Sequence, residues 1–300
     1  MSDVAPPMRF ERVFVEITTI CNLNCAFCPG TTRPAARMAP DFFHHVLSQV
    51  RPLTDQISLH VLGEPLTHPE LPRLLDLCAQ TGLRANVTTN GTLIDTAAGR
   101  ALLGPMVRQV NFSLQALPRG AHFDAKALDE VLAFVRLALD QRPDLYINLR
   151  LWNQDSQRYQ ETEHTKRLLD RVAATLGMAV TPPPPGRKSR RLAGRLYLHL
   201  DTLFDWPGTA PVRRVGFCHA LSSQCAILVD GTVCPCCLDA EGRLALGNIR
   251  HDDLMDILNG ARARAMRDGF QHGRLVESLC QSCGYCRRFA TRRAPGATPG

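Results

Sequence analysis

The chain has 300 residues, of which 45% are hydrophobic and 21% charged, and its formal net charge is +7. Length and composition are those of a globular protein with one large domain, or with a domain and a smaller appendage. The first twenty residues lack the basic start and apolar run of a signal peptide, and no segment approaches the roughly 18 apolar residues of a membrane span. We therefore expect a cytoplasmic protein without a membrane partner.

Strand and helix patterns alternate along the first two thirds of the chain. The predicted strands are Arg12–Thr18, Gln56–Leu62, Leu83–Thr88, Val107–Leu114, Leu145–Leu151 and Leu196–Leu200. The predicted helices are Pro40–Val50, Pro69–Thr81, Ala125–Leu139 and Glu161–Leu176. Alternation of this kind predicts an α/β fold with a parallel sheet wrapped by helices, here a partial (β/α)6 TIM-like barrel.

The pattern changes in the last third of the chain. Pro182–Pro185 and the basic run Arg187–Arg191 predict a turn or linker. A hairpin is expected at Leu228–Val233 around Asp230-Gly231, and a helix at Asp252–Arg267. The predicted organisation is a core domain over 1–205, a small C-terminal Cys-rich domain over 206–290 and a disordered tail over 291–300.

The twelve cysteines are unevenly placed. Three lie within residues 21–28, eight lie between 218 and 286, and Cys78 stands alone in a predicted helix, where we expect it to pack in the core. In a reducing compartment, clustered cysteines indicate metal binding or catalysis rather than disulfides. Two metal centres are therefore predicted, one at each end of the chain.

The first cluster comprises Cys21, Cys25 and Cys28, directly after the first predicted strand. Thiolates are the usual ligands of iron–sulfur clusters. A [4Fe–4S] cluster has four irons, so three cysteines without a nearby fourth leave one iron free for a substrate or cofactor. A zinc knuckle is the alternative metal site.

The CxxxCxxC spacing, with Phe27 before its last cysteine, resembles the signature of the radical AdoMet (radical SAM) superfamily. Gly63-Glu64-Pro65 after the second strand resembles the family's GGEP-like motif, although Leu62 replaces its first glycine. The resemblance implies that Cys21, Cys25 and Cys28 are catalytic. Their [4Fe–4S] cluster would bind and reductively cleave S-adenosylmethionine (AdoMet), and the resulting 5′-deoxyadenosyl radical would abstract hydrogen from a substrate.

The resemblance also implies the residues that bind AdoMet. Gly63, Glu64 and Pro65 would hold its amino group, with Phe27 beside the cluster. Further contacts to the ribose and the methionine carboxylate are expected from residues at later strand ends, namely Thr88, Asn90 and Ser113, with Arg150 and Asn153 as further candidates.

The second cluster resembles the SPASM/twitch extension of the same superfamily. Twelve residues separate Cys218 from Gly231, four more separate Gly231 from Cys236, and Cys280 and Cys283 form a downstream CxxC pair. The resemblance implies one auxiliary [4Fe–4S] cluster, held by Cys218, Cys236, Cys280 and Cys283. A second auxiliary cluster and a zinc site are alternatives, and the remaining cysteines are alternate ligands: Cys225, Cys234, Cys237 and Cys286.

Taken together, the resemblances imply a radical SAM oxidoreductase or modifying enzyme, supplied with electrons by a reducing partner such as flavodoxin or ferredoxin. A peptide or protein side chain is the favoured substrate. The net charge favours a nucleotide or RNA as an alternative, and a small metabolite is another. An iron–sulfur electron carrier or metal-binding module is the non-enzymatic alternative.

Overall fold

The computed structural model describes residues 8–119, 122–154, 163–184 and 186–289. The strands are β1 Arg12–Val15, β2 Gln56–Ser58, β3 Arg84–Thr89, β4 Val107–Ser113, β5 Pro118–Arg119, β6 His122–Phe123, β7 Tyr146–Gln154, β8 Ser189–Ala193, β9 Leu196–Thr202, β10 Gln224–Ile227, β11 Thr232–Cys234 and β12 Gly247–Asn248. The helices are α1 Pro40–Val50, α2 Leu71–Thr81, α3 Ala97–Arg100, α4 Ala125–Gln141, α5 Glu163–Leu176, α6 Leu254–Leu258, α7 Ala261–Gln271 and α8 Ser278–Gln281.

A ten-stranded sheet has the order β12-β11-β10-β1-β2-β3-β4-β7-β9-β8, and β5 and β6 form a separate pair. Six strands in chain order, β1, β2, β3, β4, β7 and β9, pair in parallel with their neighbours. The carboxyl ends of these strands therefore lie at one edge of the sheet, where chemistry collects in such folds. The α/β prediction, with six parallel strands in sequential order, is confirmed.

The two faces of the parallel strands differ in polarity. In β7 the side chains of Ile147, Leu149 and Leu151 are buried, and they alternate with Asn148 and Arg150 on the other face. The apolar face packs under the helices, which contribute their own buried stripes, such as Phe43, Val46, Leu47 and Val50 of α1. The opposite face is left polar, so one side of the sheet is a packed core and the other can surround a ligand.

The amino ends and carboxyl ends of the helices follow local sequence signals. Pro40 opens α1, and the carboxylate of Asp124 caps α4 by accepting a hydrogen bond of 3.0 Å from the backbone N–H of Ala127. Gly82 ends α2 in the left-handed region, with φ of 68°. These short-range signals explain why most predicted boundaries lie within a few residues of the observed ones.

Two sequence expectations are wrong. The basic run predicts a linker, but Ser189–Ala193 forms β8, an edge strand antiparallel to β9. The single helix expected at Asp252–Arg267 is two helices, because the chain turns at Asn259-Gly260 between α6 and α7. Asn259 and Gly260 are both poor formers of a helix interior.

The Cys-rich segment extends the same sheet. Its first strand, β10, pairs in parallel with β1, and the predicted hairpin adds β11 in antiparallel orientation. The predicted tail over 291–300 lies outside the described residues. Among the residues that are described, no helix is both long enough and apolar enough to cross a membrane.

Candidate active site

The first three cysteines lie on the loop that follows β1. Cys21 and Cys28 are exposed and Cys25 is half-buried. A turn closes the loop, in which the backbone N–H of Cys28 donates to the carbonyl of Cys25 at 3.0 Å. The pKa of Cys21 is raised, first by partial burial and then by the nearby Glu64 and Cys28, so these groups lie close enough to interact electrostatically.

The carboxyl end of β3 contacts the cysteine loop through Asn90. Its side-chain amide donates to the Asn22 side chain at 3.0 Å, and Asn22 in turn donates to Thr92 at 2.8 Å. The backbone N–H of Leu23 donates to the Cys21 sulfur at 3.4 Å, and this bond and the nearby Asn90 amide lower the pKa of Cys21 in opposition to burial. The structure therefore brings Asn90, a predicted AdoMet ligand, directly beside the first cysteine.

Gly63 is the point of closest approach between two strand ends. Its φ is +75°, and a Cβ placed there would lie 2.3 Å from the carbonyl oxygen of Thr18. Only glycine fits such a contact in the left-handed region. The next residue, Glu64, donates its backbone N–H to the Ile20 carbonyl at 2.8 Å, immediately before Cys21. The Gly63-Glu64 segment is thus fastened to the base of the cysteine loop.

The Glu64 side chain is buried, with 2% of its surface exposed, and its carboxylate is occupied by protein donors. It accepts hydrogen bonds from the Thr89 hydroxyl at 2.7 Å, the Asn90 backbone N–H at 2.7 Å and the Leu66 backbone N–H at 3.0 Å. Burial raises the pKa of Glu64 despite these bonds. The carboxylate ties the β2 and β3 ends together, while Pro65 opens the buried turn beyond it.

The other predicted contacts lie farther along the strand ends. The Asn111 amide donates to Thr88 Oγ1 at 3.2 Å, so Thr88 belongs to a polar row on the inner face of the sheet. Ser113 is half-buried and lies opposite Arg150 in the register of β4 and β7. The Arg150 guanidinium stacks over Trp152, 4.7 Å from its ring centre. The Asn153 side chain lies outside the described part of the structure.

Three thiol donors on one loop, with Asn90 alongside Cys21, fit a [4Fe–4S] cluster that leaves one iron for AdoMet. Gly63, Glu64 and Asn90 meet this loop directly. Thr88 and Ser113 occupy neighbouring strand ends without a described contact to the cysteines. The individual ligand roles of all these residues stay predictions.

A buried ion pair that sequence reasoning missed supports the same loop. Arg33 donates two hydrogen bonds to Glu16, at 2.6 and 2.8 Å, and the Glu16 side chain is fully buried. Burial opposes the charge on Arg33, but the hydrogen bonds and charge of Glu16 outweigh it and raise the pKa of Arg33. Glu16 also accepts from the Val229 backbone N–H at 3.1 Å. The sequence signal for this pair is Glu16 itself, since a carboxylate inside an otherwise apolar strand needs a buried cationic partner.

The predicted auxiliary ligands share one pocket. Cys218, Cys236, Cys280 and Cys283 all line it, together with Cys286. The backbone N–H of Cys283 donates to the carbonyl of Cys280 at 3.3 Å, so the CxxC pair forms a turn. No three His, Cys, Asp or Glu side chains within the described ranges are arranged as ligands of a single metal ion. The four predicted thiol ligands line one cavity, and thiolates are the usual ligands of an iron–sulfur cluster.

The remaining C-terminal cysteines lie in three different settings. Cys225 and Cys234 are buried in the apolar core, and burial raises the pKa of Cys225 to about 12. Cys286 lies next to the predicted ligands, since its thiol donates to the Cys283 carbonyl at 3.0 Å. The neighbouring Cys286 side chain is also the main cause that lowers the pKa of Cys283 to about 7. Cys237 is half-buried and outside the pocket lining.

Two further contacts connect the cysteine loop to the Cys-rich segment. The indole N–H of Trp206 donates to the Phe27 carbonyl at 3.1 Å. The Thr32 hydroxyl and backbone N–H both donate to the Glu241 carboxylate, at 2.6 and 3.2 Å. Phe27 is therefore held through its backbone, and the C-terminal segment buttresses the loop that carries the first three cysteines.

A sheet of six parallel strands, with a loop of three cysteines after its first strand, defines an α/β fold with a candidate iron–sulfur site. The Radical SAM superfamily matches residues 15–167, and the SPASM iron–sulfur cluster-binding domain matches residues 218–286. The chain belongs to the radical SAM superfamily. Its cofactors are accordingly a [4Fe–4S] cluster and AdoMet, with auxiliary iron–sulfur binding in the C-terminal segment rather than zinc.

Individual relatives are distant. The chain is 30% identical over 110 residues to an AdoMet-dependent heme synthase of Methanosarcina barkeri, a match that covers 36% of this chain and 32% of the relative. It is 21% identical to an S-adenosyl-L-methionine-dependent 2-deoxy-scyllo-inosamine dehydrogenase of Niallia circulans, over 91% of this chain and 92% of the relative. The first of these matches thus spans about a third of the relative's length.

Among solved structures, the fold is similar to that of Streptococcus suis SuiB bound to precursor peptide SuiA. The TM-score is 0.57 at 17% sequence identity, and the match covers 93% of this chain and 70% of SuiB. At 17% identity this likeness shows a shared fold and nothing more. It places the six-stranded barrel and the Cys-rich extension within one known architecture.

Proposed function

We propose that this chain is a radical SAM enzyme that abstracts hydrogen from a peptide or protein side chain. The observation that carries the proposal is the meeting of Cys21, Gly63 and Asn90 at adjacent strand ends. When bound at the three cysteines, the cluster supplies the electron that breaks the sulfonium bond of AdoMet and generates the 5′-deoxyadenosyl radical.

The residues of the chain itself bind AdoMet and orient it. Gly63 allows the backbone after β2 to approach the cysteine loop, so backbone groups there can reach the amino group of AdoMet. Glu64 positions that backbone through its buried carboxylate, and Asn90 fixes the loop from the β3 side. Ser113 and Arg150, opposite each other in register, offer a hydroxyl and a cation to the methionine carboxylate.

The peptide or protein substrate is supported by the likeness to SuiB, whose structure contains a precursor peptide. A second candidate, dehydrogenation of a small cyclic alcohol, is favoured by the near full-length match to the 2-deoxy-scyllo-inosamine dehydrogenase. The two candidates share radical initiation and differ in the hydrogen that is removed. A domain boundary near residue 205, a reducing protein partner and a cytoplasmic location belong to the proposal as predictions.

The test is anaerobic reconstitution with iron and sulfide, reduction by dithionite and chromatographic measurement of 5′-deoxyadenosine from AdoMet. Wild-type protein should form it, and Cys25→Ala should not. Cys78→Ala is the matched control, because Cys78 is a buried core residue of α2. Equal product formation by wild type and Cys25→Ala would contradict the proposal. A library of deuterated peptides and cyclic alcohols, assayed for transfer of deuterium into 5′-deoxyadenosine, then separates the two substrate classes.

A further inference from the structure

A short surface strap combines exposed apolar side chains with arginines. It comprises residues 211–215, with the sequence Pro-Val-Arg-Arg-Val, and all five residues are exposed. Val212 is 68% exposed and Val215 is 70% exposed, the two highest values for large hydrophobic side chains in the described structure. Val276, 44% exposed, lies beside the strap, because Val215 forms a bridge with Arg274. Exposed apolar side chains grouped in this way are typical of interaction sites.

The strap is fastened to the loop that carries the auxiliary cysteines Cys280 and Cys283. The Arg213 backbone N–H donates to the Gln281 carbonyl at 2.8 Å, and the Ala210 backbone N–H donates to the Ser282 carbonyl at 3.1 Å. The side chain of Arg287 also holds the strap, by donating a hydrogen bond to the Pro211 carbonyl at 3.2 Å. The strap is therefore bonded to the same loop that carries two of the cysteines lining the auxiliary pocket.

The positive charge of the strap is not balanced by nearby carboxylates. Neighbouring cations are paired, Arg274 with Asp268 and Arg262 with Glu277. Arg213 and Arg214 form no ion pair with any described residue, and both side chains face solvent. Two uncompensated guanidinium groups flanked by exposed valines form a surface complementary to an acidic, partly apolar partner.

We propose that the strap is the docking site of an acidic one-electron carrier protein that reduces this enzyme. The inference rests on the proposed function, which requires an electron supply. Docking here would bring the prosthetic group of the carrier to the face nearest the auxiliary cysteines. The reduced carrier loses one electron and the enzyme gains one, and no bond or proton is exchanged. Opposite charges steer the encounter, while the valines provide the apolar centre of the contact.

The test compares the double variant Arg213→Glu/Arg214→Glu with Arg136→Glu. Arg136 is the matched control, because it is exposed on α4 beside Leu137, which is 42% exposed, and far along the chain from the strap. Affinity for a purified acidic flavodoxin is measured by surface plasmon resonance at low and high salt. The double variant should bind at least about tenfold more weakly and lose the salt dependence that wild type and control retain.

A second variant separates docking from misfolding. Val215→Ser keeps the charge and should weaken flavodoxin binding about threefold or more, with the salt dependence intact. Dithionite-driven formation of 5′-deoxyadenosine should be equal in all these variants, since a small reductant needs no docking surface. Its absence from wild type would instead defeat the proposed function. Unchanged flavodoxin binding in the double variant, or an equal loss of flavodoxin binding in the control variant, would overturn the docking site.

Discussion

At the scale of single residues, the site depends on side chains that bind other parts of the protein. Glu64 illustrates this, because its carboxylate accepts three described hydrogen bonds, from Thr89, from the Asn90 backbone and from the Leu66 backbone after Pro65. A buried carboxylate with three donors is a rigid link between two strand ends. Asn90 extends that link to Cys21 and Asn22, so displacement of one residue would displace the others.

The raised pKa of Glu64 predicts a pH dependence of stability. Its cause is burial, which disfavours the charged form, so the folded protein holds the proton more tightly than the unfolded chain. The contribution of Glu64 to the free energy of unfolding is therefore full below its usual pKa and falls as the pH rises towards the raised value. Urea denaturation across this range should show a decline in wild type that Glu64→Gln removes. An identical decline in the variant would contradict the assignment, and the exposed Glu70→Gln is the control.

At the scale of elements, the loops after the strands are held by close backbone contacts and by buried charge. Gly63 has no space for a side chain next to Thr18, whereas Gly30, in the same cysteine loop, has a similar φ of +64° and no atom within 4 Å of the point where a Cβ would lie. Comparison of the two glycines therefore distinguishes the effect of backbone strain, which both would have with a side chain, from that of steric contact, which only Gly63 would have. The ion pair of Glu16 and Arg33 connects the same loop to Val229 of the C-terminal segment.

Gly63→Ala should weaken AdoMet binding at least about tenfold, because the backbone must move away from Thr18 to relieve the clash, and it should destabilise the fold by about 3 kcal/mol or more. Gly30→Ala should cost only about 1–2 kcal/mol, the strain of a left-handed residue. Equilibrium dialysis with labelled AdoMet and thermal denaturation measure both effects. Equal losses in the two variants would show that the contact with Thr18 is not the cause.

Arg33→Met should destabilise the protein by about 3–5 kcal/mol, because it leaves the fully buried Glu16 charge without its partner. The exposed pair of Arg171 and Asp129 provides the control, and Arg171→Met should change the free energy of unfolding far less than Arg33→Met does, because water screens that pair. Chemical denaturation measures both values. A loss below about 1 kcal/mol for Arg33→Met would mean that Glu16 is solvated or protonated when alone.

Local patterns are sufficient to predict the six parallel strands, the long helices and the two cysteine groups. They are insufficient where long-range pairing decides the outcome. Ser189–Ala193 is a strand because β9 offers it an edge, and nothing in its own charged sequence indicates this. In the site, a motif predicts Gly63 and a strand end predicts Asn90. Arg33 and Trp206, however, act through partners 17 and 179 residues away, which no local spacing reveals.

At the scale of the whole molecule, the barrel and the Cys-rich segment share one sheet. The parallel pairing of β10 with β1 places the segment next to the strand that leads into Cys21, and Glu241 and Trp206 contact the loop from that side. The auxiliary pocket and the predicted AdoMet site thus belong to one sheet, but they contain different cysteines. Loss of the auxiliary cluster should therefore be distinguishable, by iron content, from loss of the cluster at Cys21, Cys25 and Cys28.

Iron analysis of reconstituted variants tests the assignment of ligands. Cys280→Ala and Cys25→Ala should each lower iron content by about one cluster, and the double variant should hold almost none. Cys225→Ala should retain full iron content, because Cys225 is buried in the core away from the pocket lining. Full iron in Cys280→Ala, or a full cluster lost from Cys225→Ala, would contradict the ligand set.

The central claim of the proposed function is that Cys21, Cys25 and Cys28 hold a cluster with one iron open to AdoMet. The decisive measurement is the electron paramagnetic resonance spectrum of reduced Cys280→Ala protein, in which only the first cluster remains, recorded with and without AdoMet. We expect AdoMet to shift the spectrum, and we expect the shift to be abolished when Cys25→Ala is added. A spectrum unchanged by AdoMet, or the same shift without Cys25, would contradict an open iron at this site.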